Sequence, residues 1–215
     1  QSAHCWSCGW TIASAEHKSA MGWDENETED DKEEEIMTRE CITPEENERI
    51  KEYTGNDGKG FRGIKKETNT FFGVRYQYDE VTGEPVKQFV PTTIGGELAG
   101  YRTRSFPKDF SSPIGAVGRE FRFKSHNRTL MIVGGEIKML AAYQMLLDDQ
   151  KARDKMNYET VAVVCSTLGE SGAARHCQSR YEFCSQFSKI IVAMDVDAAG
   201  EEAAEKLAKV LPRGR

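Results

Sequence analysis

Two aspartates, two residues apart, follow a short apolar segment near the end of the 215-residue chain. Asp195 and Asp197 come directly after Lys189–Met194. Two carboxylates that close repel each other unless a cation lies between them or one takes up a proton, and Mg²⁺ is the oxygen-binding cation best suited to that place. Asp197 also precedes Ala198–Gly200, so capping of the next helix is an alternative interpretation, compatible with the first.

Three apolar segments, each followed by a helical pattern, position these acids. Such alternation predicts a parallel sheet with helices on its faces. Ligands bind these sheets beyond the carboxyl ends of the strands, so we expect Glu136 to join the two aspartates at one edge as a third acid. The predicted strands are Leu130–Val133, Val161–Thr167 and Lys189–Met194; the predicted helices are Glu136–Leu147, about 173 to Phe187, and about Ala199 to Leu211.

The stretch before this sheet carries an excess of positive charge that the net charge of −6 conceals. Residues 21–50 contain 13 acids and three bases, whereas residues 51–130 contain 14 bases and nine acids. The acidic stretch lacks apolar periodicity and predicts a solvated linker, rather than a mimic of nucleic acid. A basic surface is what a nucleic-acid partner needs, so the charge distribution favours such a partner although the total does not.

The basic stretch is predicted to form a helix followed by strands. Thr43 and Pro44 predict a helix start, and the helix should run to about Glu52. Strands are predicted at Thr70–Tyr78, Val86–Pro91 and Leu98–Phe106. In the last of these the two-residue period places two arginines on one face, where they either bind a phosphate backbone or decorate a solvated edge strand. The candidate phosphate-binding residues are Arg102, Arg104, Lys108, Arg122 and Lys124.

The six cysteines divide into one motif and four single residues. Cys5 and Cys8 have the spacing of one half of a zinc ribbon, and one knuckle cannot close a tetrahedral site. Either the other knuckle lies upstream of this chain or the pair binds nothing. Cys165 and Cys184 lie in predicted strand and helix, which favours buried free thiols in a reducing compartment. No membrane-spanning segment or secretion signal is predicted, and no phosphate loop is present.

Taken together, these residues resemble the primase half of T-seven-type phage primase-helicases, relatives of mitochondrial twinkle helicases. The specific matches are Val133–Leu140, Ser166–Gly169 and Ile190–Gly200, with looser ones at Arg62–Ile64 and the Arg102/Arg104 strand. The resemblance implies an α/β fold: a TOPRIM-type parallel sheet with flanking helices, preceded by a smaller basic β-rich α+β subdomain and a partial zinc-ribbon head. The implied domains are 1–20 (zinc ribbon, second knuckle only), 21–40 (acidic flexible linker), 41–128 (basic, nucleic-acid-binding) and 129–215 (TOPRIM).

Members of this family make short RNA primers on single-stranded DNA. The resemblance therefore implies that Glu136, Asp195 and Asp197 are catalytic and hold Mg²⁺ (or Mn²⁺), and that Cys5 and Cys8 are half of a Zn²⁺ site. It further implies a single-stranded DNA template, ribonucleoside triphosphates and a helicase domain, on the same chain or in the same assembly, as partners. The expected location is the cytoplasm of an infected bacterial host, or the mitochondrial matrix for a twinkle-like protein.

Two positions depart from the family pattern. Gly134 stands where the family's first motif begins with a glutamate, and Lys138 stands where another acid is usual. A lysine beside two aspartates pairs with them and reduces the need for a cation. We therefore hypothesise that the Lys138 ammonium occupies part of the space of a metal and that primer synthesis is weak or absent; Glu170, after the second strand, is a candidate substitute base.

Three functional interpretations remain open at this point. The first is a primase with an altered first motif, and the second is a catalytically decayed TOPRIM module that only binds single-stranded DNA for a linked helicase. A TOPRIM nuclease or topoisomerase fragment would share the acids, but a zinc knuckle and a basic sheet do not fit it.

Overall fold

The computed structural model describes residues 3–4, 11–12, 39–107, 109–121 and 127–212. The chain divides into two units, Gln1–Arg39 and Glu40–Arg215. In the first unit, strands β1 (Ala3–His4) and β2 (Thr11–Ile12) pair antiparallel. Cys5 and Cys8 lie outside the described residues, as does most of the predicted acidic linker, so the zinc half-site stays a prediction.

The second unit begins with a helix and an antiparallel sheet. Helix α1 (Pro44–Tyr53) starts as predicted, with a capping box in which the Thr43 and Glu46 side chains each accept a hydrogen bond from the other residue's backbone N–H. The five strands hydrogen-bond in chain order. They are β3 (Thr54–Gly55), β4 (Arg75–Tyr78), β5 (Pro85–Ile94), β6 (Glu97–Ser105) and β7 (Asp109–Gly115).

The predicted strand at Thr70–Tyr78 is wrong in its first half. Residues Lys66–Phe72 form helix α2, and only Arg75–Tyr78 is extended. Gly73 ends the helix in the left-handed conformation (φ 67°) that favours glycine. The aromatic and β-branched residues here favour a strand locally, but the Phe72 ring packs edge-on against Tyr143, 5.2 Å away between centroids, and this tertiary contact stabilises the helix.

The second sheet is parallel, as predicted. Its strands lie in the order β10 (Lys189–Ala193), β8 (Thr129–Val133) and β9 (Ala162–Cys165). The first and last predicted helices are α3 (Glu136–Ala152) and α6 (Ala198–Val210). The predicted long helix up to Phe187 is instead two short ones, α4 (Ala173–Ser179) and α5 (Tyr181–Ser185), separated by Arg180.

Both faces of the parallel sheet are packed at β8 and β9, which explains why these two strands are continuously apolar. Strand β10, at the edge of the sheet, is only partly buried. Alternate residues point to opposite faces: Val163 packs with α3, α2 and β4, whereas Val164 packs with α4, α5 and α6. The cluster that contains Val163 includes residues of both sheets and joins them into one packed unit. Its fully or nearly buried members are Ile64, Phe72, Val74, Tyr76, Val133, Met139, Leu140, Tyr143, Val163 and Cys165.

The cysteines of the described region are free thiols. Cys165, Cys177 and Cys184 are buried and Cys41 is exposed, and burial raises the pKa of the Cys165 thiol. Among the described residues, no helix combines the length and apolar character needed to cross a membrane.

Candidate active site

The acidic edge, as we name it, is formed by the segments that follow the three parallel strands. Gly134 and Glu136 follow β8, Glu170 lies in the loop after β9, and Asp195 and Asp197 follow β10. Because β8 is the central strand, the segment after it lies between the other two. The three predicted acids, Glu136, Asp195 and Asp197, thus follow the carboxyl ends of neighbouring strands of one sheet.

Lys138 forms an ion pair with Asp195 at this edge. Lys138 lies in the first turn of α3, and each of the two side chains is 42% exposed. Ion pairs with this much water access contribute about 0–1 kcal/mol. A charged ligand can therefore displace the lysine at modest cost in free energy. Without a ligand, the Asp195 carboxylate is occupied by its ion pair with Lys138.

Asp197 caps helix α6. Its Oδ1 accepts a hydrogen bond from the N–H of Gly200 at 2.8 Å. Its backbone is extended, as in a typical N-cap residue. The alternative interpretation of Asp197 as a helix cap is thus realised in the structure.

Arg102 reaches the acidic edge from the antiparallel sheet and forms an ion pair with Glu136. The side chains are only 23% and 17% exposed, so this pair is better shielded from water than Lys138 and Asp195. Arg102 and Arg104 line the same small cleft together with Gln88 and Glu136, in agreement with their predicted position on one strand face. Basic strand and acidic edge are therefore in direct contact.

Gly134 leaves space that the carboxylate of Glu170 fills. A Cβ atom at Gly134 would collide with Glu170 Oε1 and lie 2.8 Å from its Cδ. The same Oε1 accepts a hydrogen bond from the N–H of Asp195 at 3.0 Å. Glu170 thus connects the loop after β9 to the segment after β10, across the end of β8.

His176 is a buried residue whose ring hydrogen-bonds to the loop after β9. The ring is fully buried, stacks on Phe121 at 4.3 Å, and lies with Nε2 2.7 Å from the Arg119 carbonyl oxygen. Its Nδ1 accepts the N–H of Thr167 at 3.3 Å, which leaves Nε2 as the donor to that carbonyl. Burial, together with nearby arginines, lowers the pKa of His176 to about 4, so the ring is neutral at pH 7.

The donor set at the acidic edge is chemically suitable for a hard cation, but its arrangement is not that of an open metal site. Three carboxylates are engaged, Glu136 by Arg102, Asp195 by Lys138, and Asp197 by the α6 N-terminus. In the parts of the chain that the structure describes, no three His, Cys, Asp or Glu side chains are grouped to hold a metal ion. As they lie, these residues do not fit a divalent cation.

The strand ends that the acids follow could be predicted from the sequence, but the contacts of Glu136 and Glu170 could not. The Arg102–Glu136 contact joins residues 34 positions apart, and the arrangement of Glu170 around Gly134 depends on packing between three loops. The one available signal was Lys138, whose type and position predict the ion pair that is found. Lys108, Arg122 and Lys124 lie outside the described residues and stay predicted phosphate-binding positions.

The fold and the C-terminal sequence define the class of protein. Residues 131–215 match a family described as Toprim-like. The primase fragment of the bacteriophage T7 primase-helicase has the same fold, with a TM-score of 0.60 over 98% of this chain and 78% of that one, at 22% identity. The chain therefore contains a Toprim fold, an α/β domain with a parallel sheet flanked by helices.

Closer sequence matches identify the relatives. The DNA helicase/primase of Enterobacteria phage T3 is 30% identical over 158 residues, 72% of this chain and 25% of that protein, so the match spans a quarter of the relative. Bacteriophage T7 primase domains, in a structure with lagging-strand DNA polymerase, an RNA/DNA hybrid and dTTP, are 26% identical (TM-score 0.61; 81% of this chain, 82% of theirs). This chain is homologous to the primase region of phage helicase/primases.

Proposed function

We propose that this chain binds single-stranded DNA template and ribonucleoside triphosphates where the antiparallel sheet meets the acidic edge, and that it makes short RNA primers there slowly. The observation that carries the proposal is the contact between Arg102 and Glu136, because it joins the strand to which we assign phosphate binding to the acidic edge. We assign Glu136, Asp195 and Asp197 as the reacting edge and Arg104 as a phosphate contact. Lys108, Arg122 and Lys124 are assigned to the same nucleic-acid surface.

The relatives support a proposal for the partners and location of this chain. Because the T3 protein is a helicase/primase, we assign this chain a helicase partner, on the same polypeptide or in the same assembly, in the cytoplasm of an infected bacterial host. Toprim primases generally use Mg²⁺. In this chain Lys138 holds Asp195 and residue 134 has no side chain, so the edge as it lies does not fit a divalent cation, and we infer that synthesis is slow for this reason.

Primer synthesis is the deciding experiment. The protein is incubated with a mixed-sequence single-stranded DNA template, the four ribonucleoside triphosphates and Mg²⁺, and labelled products are resolved by length. We expect template-dependent RNAs of a few nucleotides. Absence of any template-dependent product over long incubation contradicts the synthetic part of the proposal.

The second candidate function is binding without synthesis, as a module that holds single-stranded DNA for a linked helicase. The ion pair between Lys138 and Asp195 favours this candidate, because it supplies from within the protein the positive charge that the edge needs. Under this candidate, template binding persists and no variant of the edge makes RNA.

Lys138→Asp separates the two candidates. The change frees the Asp195 carboxylate and adds an acid at the edge, so we expect primer synthesis to rise about tenfold, equivalent to about 1.4 kcal/mol of activation free energy. Lys151→Asp is the matched control, because it makes the same charge change in the last turn of the same helix. If Lys138→Asp and its control are both inactive, the binding-only function is the correct one.

Arg104→Ala tests the basic strand. Each phosphate contact on a single strand contributes about 0.7 to the slope of log K against log salt concentration. We expect weaker binding of a fluorescent single-stranded oligonucleotide and a slope shallower by about that amount, measured by anisotropy between low and physiological salt. Arg153→Ala, at the far end of α3, is the control. An unchanged slope removes Arg104 from the binding surface.

A further inference from the structure

Glu170 is placed to control the position of Asp195. Its carboxylate is half-buried in the loop after β9, and Oε1 accepts the backbone N–H of Asp195 at 3.0 Å. Asp195 follows β10 by two residues, beyond the last ladder pairing at Ala193. Beyond the end of the β10 ladder, this hydrogen bond from Glu170 holds the backbone of Asp195 in place. It therefore fixes the position from which the Asp195 carboxylate projects.

The same carboxylate requires residue 134 to be glycine. A Cβ at that position would collide with Oε1 and lie 2.8 Å from Cδ of Glu170. Positive backbone φ angles are confined to other residues of the described chain, so Gly134 is needed for space and not for conformational freedom. Because a side-chain end can move, a residue larger than glycine would push the Glu170 carboxylate away from Asp195.

Lys138 completes the arrangement. A Cβ atom added at residue 134 would lie 3.1 Å from the Lys138 Nζ, as well as against the Glu170 carboxylate. The same Nζ forms the ion pair with Asp195. Lys138 and Glu170 therefore border the same space at residue 134, and both contact Asp195: Lys138 its carboxylate, and Glu170 its backbone N–H.

We propose that Glu170 is a positioning residue for Asp195, and that it holds this role only because residue 134 is glycine. The inference rests on the proposed function, since it assigns Asp195 to the reacting edge. The Glu170 carboxylate accepts one hydrogen bond, fixes the segment after β10, and thereby sets where the Asp195 carboxylate meets its ligand. Misplacement of a reacting group by about 1 Å costs up to about a hundredfold in rate.

The test is a double-mutant cycle of Gly134→Ala and Glu170→Ala, with Glu170→Gln as the conservative variant. We expect each alanine variant to speed hydrogen exchange of the Asp195 amide at least tenfold, to slow primer synthesis at least tenfold, and to lower Tm by about 2–4 °C. The double variant should be no worse than either single one, because both remove the same hydrogen bond. Glu170→Gln keeps an acceptor oxygen and should stay within about twofold of the wild type.

Two controls isolate the effect. Gly135→Ala adds a methyl group next in sequence where nothing lies within 4 Å of it, and Glu201→Ala removes an exposed acid from the first turn of α6. Additive effects of the two alanine changes, or a glutamine variant as impaired as Glu170→Ala, would overturn the proposal. Amide exchange decides it even if the wild type makes no RNA, an outcome that would refute primer synthesis alone.

Discussion

Gly200→Ala is expected to lower the free energy of unfolding by about 2 kcal/mol, although alanine is the better helix former. An exposed helical position gains about 1 kcal/mol from this change. At residue 200 the new Cβ would collide with the carbonyl oxygen of Asp195 and lie 2.7 Å from its C and N atoms. Backbone atoms cannot move aside as a side-chain end can, and overpacking of this kind costs about 1–3 kcal/mol or more.

The same substitution should displace the acidic edge. The Gly200 N–H donates to Asp197, and there is no room for a Cβ between Gly200 and the Asp195 backbone, so a shift of the helix start moves both aspartates. Urea unfolding measures the loss of stability, and nucleotide and template binding measure the displacement. Gly135→Ala adds its methyl group into open space at the same edge and should cost at most about 1 kcal/mol, mainly as a poorer helix cap. Equal effects of the two substitutions would contradict the close-packing argument.

Acidification should destabilise the protein through His176, by about 3 kcal/mol between pH 7 and pH 4. Burial, reinforced by nearby positive charges, lowers the pKa of this ring from the usual 6.5 to about 4. The unfolded chain therefore binds the proton at higher pH than the folded chain does. The stability contributed by the neutral ring is complete above about pH 6.5 and is lost progressively as the pH falls towards 4.

His176→Gln provides the comparison. Glutamine has a donor and an acceptor for the Arg119 carbonyl and the Thr167 N–H but does not titrate in this range. The variant should be less stable than the wild type at pH 7, because it loses the stacking on Phe121, and its unfolding free energy should fall less steeply with pH. Urea unfolding at half-unit steps from pH 7 to pH 4 gives both slopes. Parallel slopes would mean that His176 does not carry the acid sensitivity.

Elements with strong local signals could be predicted from the sequence. Thr43 and Pro44 define the start of α1 because a cap and a first-turn proline act through the nearest backbone groups. Strands β8 and β9 were predictable because burial on both faces makes them continuously apolar, and β10 was predictable from its central apolar residues Ile190–Val192. Because the three predicted strands run parallel, it also follows that Glu136 and Asp195 lie at the same edge of the sheet.

Elements that depend on distant contacts could not be predicted. Helix α2 has strand-like composition, and its packing on α3 decides its conformation. Likewise, the sequence leaves open whether Arg102 binds phosphate or decorates a solvated strand, and only the packing of one sheet on the other brings it against Glu136. The two-residue period of the strand correctly predicts that the Arg102 and Arg104 side chains share one face. No local pattern, however, encodes the identity of a partner that lies 34 residues away.

The core shared between the two sheets limits how this protein can be divided or recombined. One face of the parallel sheet is covered by α3 together with α2 and β4. Helix α2 and strand β4 precede the first strand of this sheet in the sequence. An exchange of the Toprim domain between related proteins that begins at Thr129 would leave Phe72, Val74 and Tyr76 behind and expose the apolar surface they cover. The unit that can be transplanted is therefore the pair of sheets, and the helices and strands that carry Arg102 and Asp195 have to be inherited together.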